Sequence, residues 1–555
     1  MSIDSLYPLF RLDGLNGFVV LAIGVFSVLT LIYSSRFMKG KSGVFSYYVY
    51  IILTALSAIA AVLANNLLLL LILWGFLGIT LYLLINMGGE EASPAAKKTF
   101  IIVGGADALM LLGIGIIYYL TGTFQMDKIS LSLVTGNWLL VTVSYLCLAI
   151  ASFAKAGAMP FHSWVPDSSQ YAPVPVAAYL LAALDKLLGI YLLTRISLDL
   201  FILNSFLNIL LMLLGAFTVL AAVMMALIQH NMKRLLGYHA VSQVGYMVLG
   251  IGTGTPVGIA GGVFHMLNNA LYKQSLFLIS GNVEQKAGTT ELVNLGGLSR
   301  VMPLTYISAV IASLSISGVP PFNGFVSKWM VYQGLIQRLA VSGERLAVVL
   351  CLVAAMFGSA LTLASFMKLI HATFLGQPTN QLTKQQPKEV SWVMWLPPLV
   401  LAVICIVFGV FANQIPLKYF ILPAVKEVNF AGTWYAGLST LLIVTGLILG
   451  IFFFRFRGIR PILRQDKAFV GGEALALEEN RVTGTEFYNT VKEHGLLRSL
   501  YRKAEQGSFD IYEQGKNYAF GIGKIFQCLH NGVLPTYLVW ILLGMLGLFW
   551  VCLIM

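Results

Sequence analysis

Lys155-Ala-Gly-Ala-Met-Pro-Phe-His-Ser-Trp-Val-Pro-Asp167 decides how this chain is read, because its frame returns 161 positions later. Gly157-x-x-Pro160-Phe161-x-x-Trp164-Val165 is matched by Gly318-x-x-Pro321-Phe322-x-x-Phe325-Val326, with Pro320 doubling the second proline. Both stretches adjoin apolar segments long enough to cross a bilayer. A Gly/Pro pair in such a helix removes an intrahelical hydrogen bond, so each segment is predicted to be a broken helix. Two breaks at matching places mark a transporter built from repeats, with its ion path at the unwound segments. Each break also carries a lysine: Lys155 two residues before Gly157, and Lys328 two residues after Val326.

The rest of the chain places these breaks in a membrane. Hydrophobic residues form 58% of the 555 positions and charged ones only 10%, the composition of a polytopic helical membrane protein. Apolar runs predict an all-α fold with spans at 14–35, 44–64, 66–87, 98–120, 136–156, 173–196, 205–229, 235–254, 259–284, 304–331, 345–375, 391–413, 434–456 and 533–555. That is about 14 transmembrane helices, with two inverted repeats and two broken helices. The organisation expected is N-terminal helices in 1–97, a first core half in 98–204 broken near 157–166, and a second half in 205–376 broken near 318–326. Peripheral helices follow in 377–456, then an amphipathic lateral segment in 457–532 and an anchor helix in 533–555.

Charge sets the orientation. Arg36, Lys39 and Lys41, Lys97 and Lys98, Lys233 and Arg234, and Arg455 to Arg464 all follow odd-numbered spans, whereas Lys128, Arg195 and Lys418 lie at the other side. By the positive-inside rule both termini face outward from a prokaryotic plasma (inner) membrane. The net charge of +12 is read as topology and lipid-headgroup contact, not nucleic-acid binding. No cleavable signal is evident, since the first apolar run lacks a basic leader region. The five cysteines, at 147, 351, 405, 528 and 552, have no cluster or zinc spacing. No phosphate loop or dinucleotide fingerprint interrupts the spans, so no cofactor is expected in this chain and its driving energy comes from another.

Buried lysines carry the chemistry. An ammonium at membrane depth costs roughly 3 kcal/mol, so it needs a partner, a hydrated pocket or a task. Lys186 and Lys273 join Lys155 and Lys328 within the spans. Asp185 lies beside Lys186, but neighbours along a helix do not face each other, so Asp185 is expected either to point at Lys155 or Lys273 from a neighbouring helix or to form a static charge pair. His265, Asn268, Asn269, Tyr272 and Lys273 form a polar stripe at helical spacing. Asp107 reads as a helix-contact carboxylate more than a proton carrier, and Lys368 with His371 as snorkelling groups near a span end.

The residues quoted so far, with Asp13-Gly14-Leu15, Ala172-Pro-Val-Pro-Val176, Lys233-Arg-Leu-Leu-Gly-Tyr238, Ser242-Gln-Val-Gly-Tyr246 and Gly324-Phe-Val-Ser-Lys328, resemble one family. It is that of the antiporter-like, proton-conducting subunits of complex I, shared with membrane-bound hydrogenases and multi-subunit cation/proton antiporters. The resemblance runs from residue 13 to about residue 376. It implies that Lys155 is the central lysine of the first broken helix, Lys273 with His265 the connection between half-channels, and Lys328 the terminal lysine. Lys186, Asp185 and Asp107 complete the implied proton pathway, and Gly157, Pro160, Gly318, Pro320 and Pro321 make the breaks. It implies as partners other membrane subunits, antiporter-like neighbours among them, peripheral redox subunits on the inner side, and lipid. The enzymatic reaction of such a complex, of the NADH:quinone oxidoreductase or hydrogenase kind, lies in those other chains.

Three departures qualify the resemblance. The family's Trp-Glu reads Trp74-Gly75, which removes the glutamate expected to face Lys155. A second histidine is replaced by Asn269, which cannot change protonation near neutral pH. The arginine of an Arg-x-Gly-Asp pattern is Gly104, which leaves Asp107 alone. Asp185 is the candidate to replace the missing glutamate. Two helices that precede Asp-Gly-Leu in the family are absent before residue 13, or come from a separate small subunit. From Glu486 to Lys524 the pattern is amphipathic, resembling a shortened lateral helix of about 58 Å if continuous, although Gly495, Gly507 and Gly515 argue against one rigid rod. Two rival readings stand beside the redox-driven one: a cation/proton antiporter or ion-coupled uptake system without redox chemistry, and a scaffold that no longer conducts because position 75 lacks its glutamate.

Overall fold

Helices begin where the sequence supplies caps. Asp13 opens α1 (Gly14–Phe37), its carboxylate accepting from the Leu15 and Asn16 N–H groups while the Asn16 side chain accepts from the Asp13 N–H. Asn66 caps α3 (Leu67–Asn86), which follows α2 (Val44–Leu63). Next come α4 (Ser93–Thr121), α5 (Trp138–Ala156), α6 (Trp164–Tyr171) and α7 (Val174–Leu200). Asn204, Asn231 and Thr255 cap α8 (Ser205–Leu227), α9 (Met232–Gly252) and α10 (Pro256–Ala287). The sequence continues through α11 (Pro303–Ser317), α12 (Asn323–Val341), α13 (Arg345–Leu375), α14 (Trp392–Val410) and α15 (Ala436–Phe456). This computed structural model describes residues 9–132, 136–341, 343–376, 389–425, 428, 435–456 and 488–554. A two-residue parallel ladder, Leu131–Ser132 against Phe201–Ile202, is the only sheet among the described residues.

Both predicted breaks are present. α5 stops at Ala156, Gly157 adopts φ 78°, and α6 resumes at Trp164; α11 stops at Ser317, Gly318 adopts φ 81°, and α12 resumes at Asn323. Each contains a cis peptide, Met159–Pro160 and Pro320–Pro321. The positive φ explains why glycine ends each half-helix: it closes the last turn without a Cβ penalty.

Among the described residues, ten helices are long and apolar enough to cross a membrane: α1 to α5, α7, α8, α13, α14 and a C-terminal helix at Leu534–Ile554. Four expected spans fall outside that set, each for a visible reason. α9 and α10 have 21 and 32 residues but carry polar stripes; 304–331 is divided between α11 and α12; and in 434–456 the apolar part is the short run Ala436–Gly450. α7 is buried from Val174 to Ile196, as is α9 over almost its whole length, so their polar groups must find partners inside the protein.

Close backbone contact fixes the centre. A Cβ on Gly261 of α10 would lie 2.8 Å from the Val331 nitrogen of α12, and one on Gly334 would lie 2.4 Å from the Gly258 Cα. Small residues let these helices touch, as interhelical packing in membranes favours. One feature has no sequence signal. α7 widens into π-helical turns at Ala177–Leu184 and again at Ile196–Leu200, and the first runs directly into Asp185. Such turns leave backbone carbonyls free for other partners.

The chain divides into two compact units, Met1–His494 and Gly495–Met555. The expected amphipathic stretch is not one rod: α16 (Asn489–Glu493), α17 (Gly495–Glu505) and α18 (Ile511–Leu529) are separated at His494 and around Gly507, where φ is 75°. Gly515 lies inside α18 and does not interrupt it. α19 (Leu534–Ile554) ends the described chain. The expected turn at Val470 to Glu473 and the rest of 457–487 lie outside the described residues.

Candidate functional site

Lys155 sits in the last turn of α5, fully buried, and Asp185 of α7 brings its Oδ1 to 4.0 Å from the lysine Nζ. At that separation, with an effective dielectric of 20, opposite charges attract by about 4 kcal/mol. This offsets much of the cost of burying the pair, roughly 3 kcal/mol for each charge at membrane depth. The carboxylate thus comes from another helix, while Asp185 and Lys186 remain close enough for their charges to act on each other. Lys186 Nζ lies 5.1 Å from the Trp164 ring centroid and about a van der Waals contact, 3.4 Å, from where a Cβ on Gly157 would stand. The Trp164 indole N–H donates to the Ala154 carbonyl at 3.0 Å, so this ring ties both sides of the break together.

The position of the missing glutamate is open. A Cβ on Gly75 would meet nothing within 4 Å, whereas the preceding Trp74 is fully buried with its ring centroid 5.4 Å from Lys155 Nζ. Asp107, on α4, reaches the same region. Its Oδ2 lies 3.6 Å from the Cβ position of Gly78, one turn beyond Gly75, and its charge acts on Lys155. Lys155 Nζ, Asp185 Oδ2 and Lys186 Nζ are all buried without a hydrogen-bond partner among the described residues. Such unmet polar capacity suits bridging by water.

α10 connects this break to the second. Asn269 Nδ2 donates at 3.3 Å to the Ala182 carbonyl, within the π-helical turn that precedes Asp185. Asn268, one residue earlier, faces the other half: its Nδ2 donates to the Asn323 carbonyl at 3.0 Å and its Oδ1 accepts from Asn323 Nδ2 at 2.9 Å. Ser315 hydrogen-bonds to the same Asn323 side chain. His265 joins Ser327 Oγ (2.9 Å), Gln243 Oε1 (3.1 Å) and the Tyr272 hydroxyl (3.3 Å). Lys273 donates to the Leu236 carbonyl at 2.8 Å, and Lys186 is the charge that acts on it.

The second break holds its lysine differently. Lys328 Nζ donates to the Ile316 carbonyl at 2.9 Å, with the Ser317 carbonyl at 3.5 Å and the Tyr246 ring centroid at 4.6 Å. These carbonyls end α11, where the helix dipole is negative and favours a cation. Among the described residues no carboxylate pairs with Lys328.

Lys368 corrects the sequence reading. It is not a snorkelling residue: it is buried and donates to the Leu227 and Gln229 carbonyls at 2.6 and 2.7 Å, closing the end of α8. Sequence reading also passes over His239, although His239, Gln243 and Tyr246 form a stripe on α9 at helical spacing.

Charged clusters lie at both ends of this bundle. Lys98 and Arg234 both pair with Asp167 (2.7 and 3.3 Å), and Lys233 pairs with Glu284 (3.2 Å). Away from them, Arg195 pairs with Asp13 (2.8 Å) and Asp199 (2.6 Å), and Arg11 pairs with the same two carboxylates (2.7 and 3.1 Å). Burial by itself would raise the Asp13 carboxyl. The hydrogen bond and charge of Arg195, the Asn16 N–H and Arg11 override it and bring the pKa down to about 2.

A family model described as NADH:quinone oxidoreductase/Mrp antiporter, transmembrane, matches residues 64–374. A Na(+)/H(+) antiporter subunit from Alkalihalophilus pseudofirmus is 30% identical over 440 residues, which cover 75% of this chain and 54% of that protein. A Na(+)/H(+) antiporter subunit from Staphylococcus haemolyticus is 30% identical over 476 residues, 79% of this chain and 58% of that one. The chain thus spans little more than half the length of these curated relatives. Among solved structures, a chain of the Mrp complex from Dietzia sp. DQ12-45-1b matches with a TM-score of 0.77 at 25% identity, over 98% of this chain and 56% of that one. A chain of the membrane-bound sulfane sulfur reductase, an archaeal respiratory membrane complex, matches with a TM-score of 0.79 at 23% identity, over 97% and 89%. That second likeness bears on the fold alone.

Proposed function

The chain belongs to the NADH:quinone oxidoreductase/Mrp antiporter transmembrane family, and from that membership we propose that it is an ion-translocating subunit of a multi-subunit membrane complex, moving protons along its buried lysines. The observation that carries this reading is the line of groups linking the two breaks: Lys155 and Asp185, Lys186, Lys273, His265 with Ser327, and Lys328. Lys155 exchanges a proton at the first break. Its charge is balanced by Asp185, so a proton lost from Lys155 leaves Asp185 uncompensated and draws the next proton toward that pair. Lys186, Lys273 and His265 carry the charge change laterally, with water bridging the gaps between helices. Lys328, held by the carbonyls that end α11, completes the exit or passes the change to a neighbouring subunit.

The chain is a multi-pass membrane protein, and its basic loops support a prokaryotic inner membrane with both termini outward. Partners in this reading are other membrane subunits, with redox chemistry in peripheral chains and no cofactor in this one. A second reading is favoured by the relatives themselves, which are subunits of Na(+)/H(+) antiporters: sodium then exchanges for protons and no redox partner is needed. Purifying the complex from native membranes through a tag on this chain separates the two. Iron-sulfur or nickel-iron subunits in the complex support redox drive, and a complex without redox metal supports antiport. Translocation itself is tested with that complex in liposomes carrying a trapped pH dye, proton movement being driven by a potassium diffusion potential or a sodium gradient. Lys155→Ala and Lys328→Ala are each expected to slow proton movement at least about tenfold (about 1.4 kcal/mol). Unchanged movement in both variants leaves the scaffold reading in place.

A further inference from the structure

His239 is a buried titratable group that the axis above does not use. It lies on α9, fully buried, between two groups that do belong to that axis. One turn before it, the Leu236 carbonyl receives Lys273 Nζ at 2.8 Å; one turn after it, Gln243 Oε1 lies 3.1 Å from His265 Nε2. Its own Nε2 meets Ser365 Oγ of α13 at 2.7 Å, while its Nδ1 is buried with no hydrogen-bond partner among the described residues. The ring packs on Phe366 with centroids 4.7 Å apart, and Lys273 Nζ lies 5.7 Å from the centroid of that same Phe366 ring. The charged groups that act on it are Lys273 of α10, Lys328 of α12 and Lys368 of α13.

A histidine used only to join two helices needs one ring nitrogen. Here the second nitrogen is desolvated without a bond, a cost that a side chain with a single polar group would avoid. Ser365 and Lys368 are three apart on α13, so they share a face. Lys368 in turn reaches the Leu227 and Gln229 carbonyls, close in sequence to the basic pair Lys233 and Arg234. We propose that His239 is a proton-carrying residue on a branch from Lys273 through Ser365 toward Lys368, joining the middle of the axis to the Lys233/Arg234 end of the bundle. No bond is made or broken other than to the proton: His239 takes it on Nδ1 from the Lys273 side and releases one from Nε2 toward Ser365. The ring returns by tautomer exchange.

This inference rests on the translocating function proposed above, and the test separates the two. The tagged complex in liposomes is assayed for proton movement under an imposed potassium diffusion potential between about pH 5.5 and 8.5, a range that brackets the ordinary histidine pKa of about 6.5. Lys328→Ala serves as the control for the axis. His239→Gln keeps a hydrogen bond to Ser365 but cannot carry a proton, and is expected to slow movement at least about fivefold and to remove one limb of the pH profile. If Lys328→Ala silences movement while His239→Gln keeps the native rate and profile, the branch is overturned and the axis survives. If His239→Gln does not assemble, Ser365→Ala decides, because it leaves the imidazole in place. A slower rate with a displaced limb supports the branch, and a native rate and profile overturns it.

Discussion

At the first break Lys155 stands before the glycine and faces a carboxylate from another helix; at the second, Lys328 stands after the glycine and is held by carbonyls of the half-helix it follows. The backbones match, with φ 78° at Gly157 and 81° at Gly318, so the difference lies in electrostatics. A lysine paired with a carboxylate responds to any change of charge on its partner, whereas one held by backbone dipoles has a fixed environment. On the proposed function, the first break would be where an input is felt, and the second where a proton is received and passed on.

The largest test of that contrast is Asp185→Ala. Removing one member of a buried pair typically costs about 3–5 kcal/mol, so a loss of that size is expected in thermal unfolding, with proton movement slowed at least about tenfold. A variant as stable and as fast as the native complex would show that Asp185 does not hold Lys155. Sharper is the milder Asp185→Asn combined with Gly75→Glu, since the Cβ position at Gly75 is unobstructed. The second change is expected to restore part of the lost rate. If the double variant stays as slow as Asp185→Asn alone, a glutamate at 75 cannot substitute for the aspartate.

Next come the glycines. Gly157→Ala and Gly318→Ala each force a side chain into the left-handed region, at roughly 1–2 kcal/mol. The Cβ at 157 would also press on Val165 Cγ2 at 2.5 Å, whereas at 318 it meets the flexible Lys328 Cδ at 3.0 Å. Gly157→Ala should therefore unfold at the lower temperature, and the reverse order would contradict this difference in packing. The smallest effect concerns Asp13, far from either lysine. Its pKa in the folded chain is about 2, below the ordinary 3.8, so its stabilisation is complete above about pH 4 and is lost as pH falls through about 2. Asp13→Asn should lower the melting temperature at pH 6, and the gap to the native protein should narrow toward pH 2. A constant gap would assign the effect to something other than this carboxylate.

The breaks and the all-α membrane fold were legible because proline, glycine and apolar run length act locally. The direction of Asp185 was only half legible: helical spacing pointed away from Lys186 but left a static charge pair open, and choosing Lys155 over Lys273 needed the packing of α7 against α5. The π-helical turns of α7 left no trace in composition, since Ala177–Leu184 reads as an ordinary apolar helix. Lys368 misled for a related reason, because its place near a span end says nothing about the carbonyls of α8 that cover it. The expected spans and the ten long apolar helices part company where polar stripes and breaks interrupt the apolar run.

Continuity between the two breaks is the central claim, and Lys273 lies between them without touching either. Proton movement by the intact complex carrying Lys273→Ala tests it most directly: the rate is expected to fall at least about tenfold (about 1.4 kcal/mol) while assembly and both breaks persist. A native rate in that variant would mean that the two halves do not work as one path.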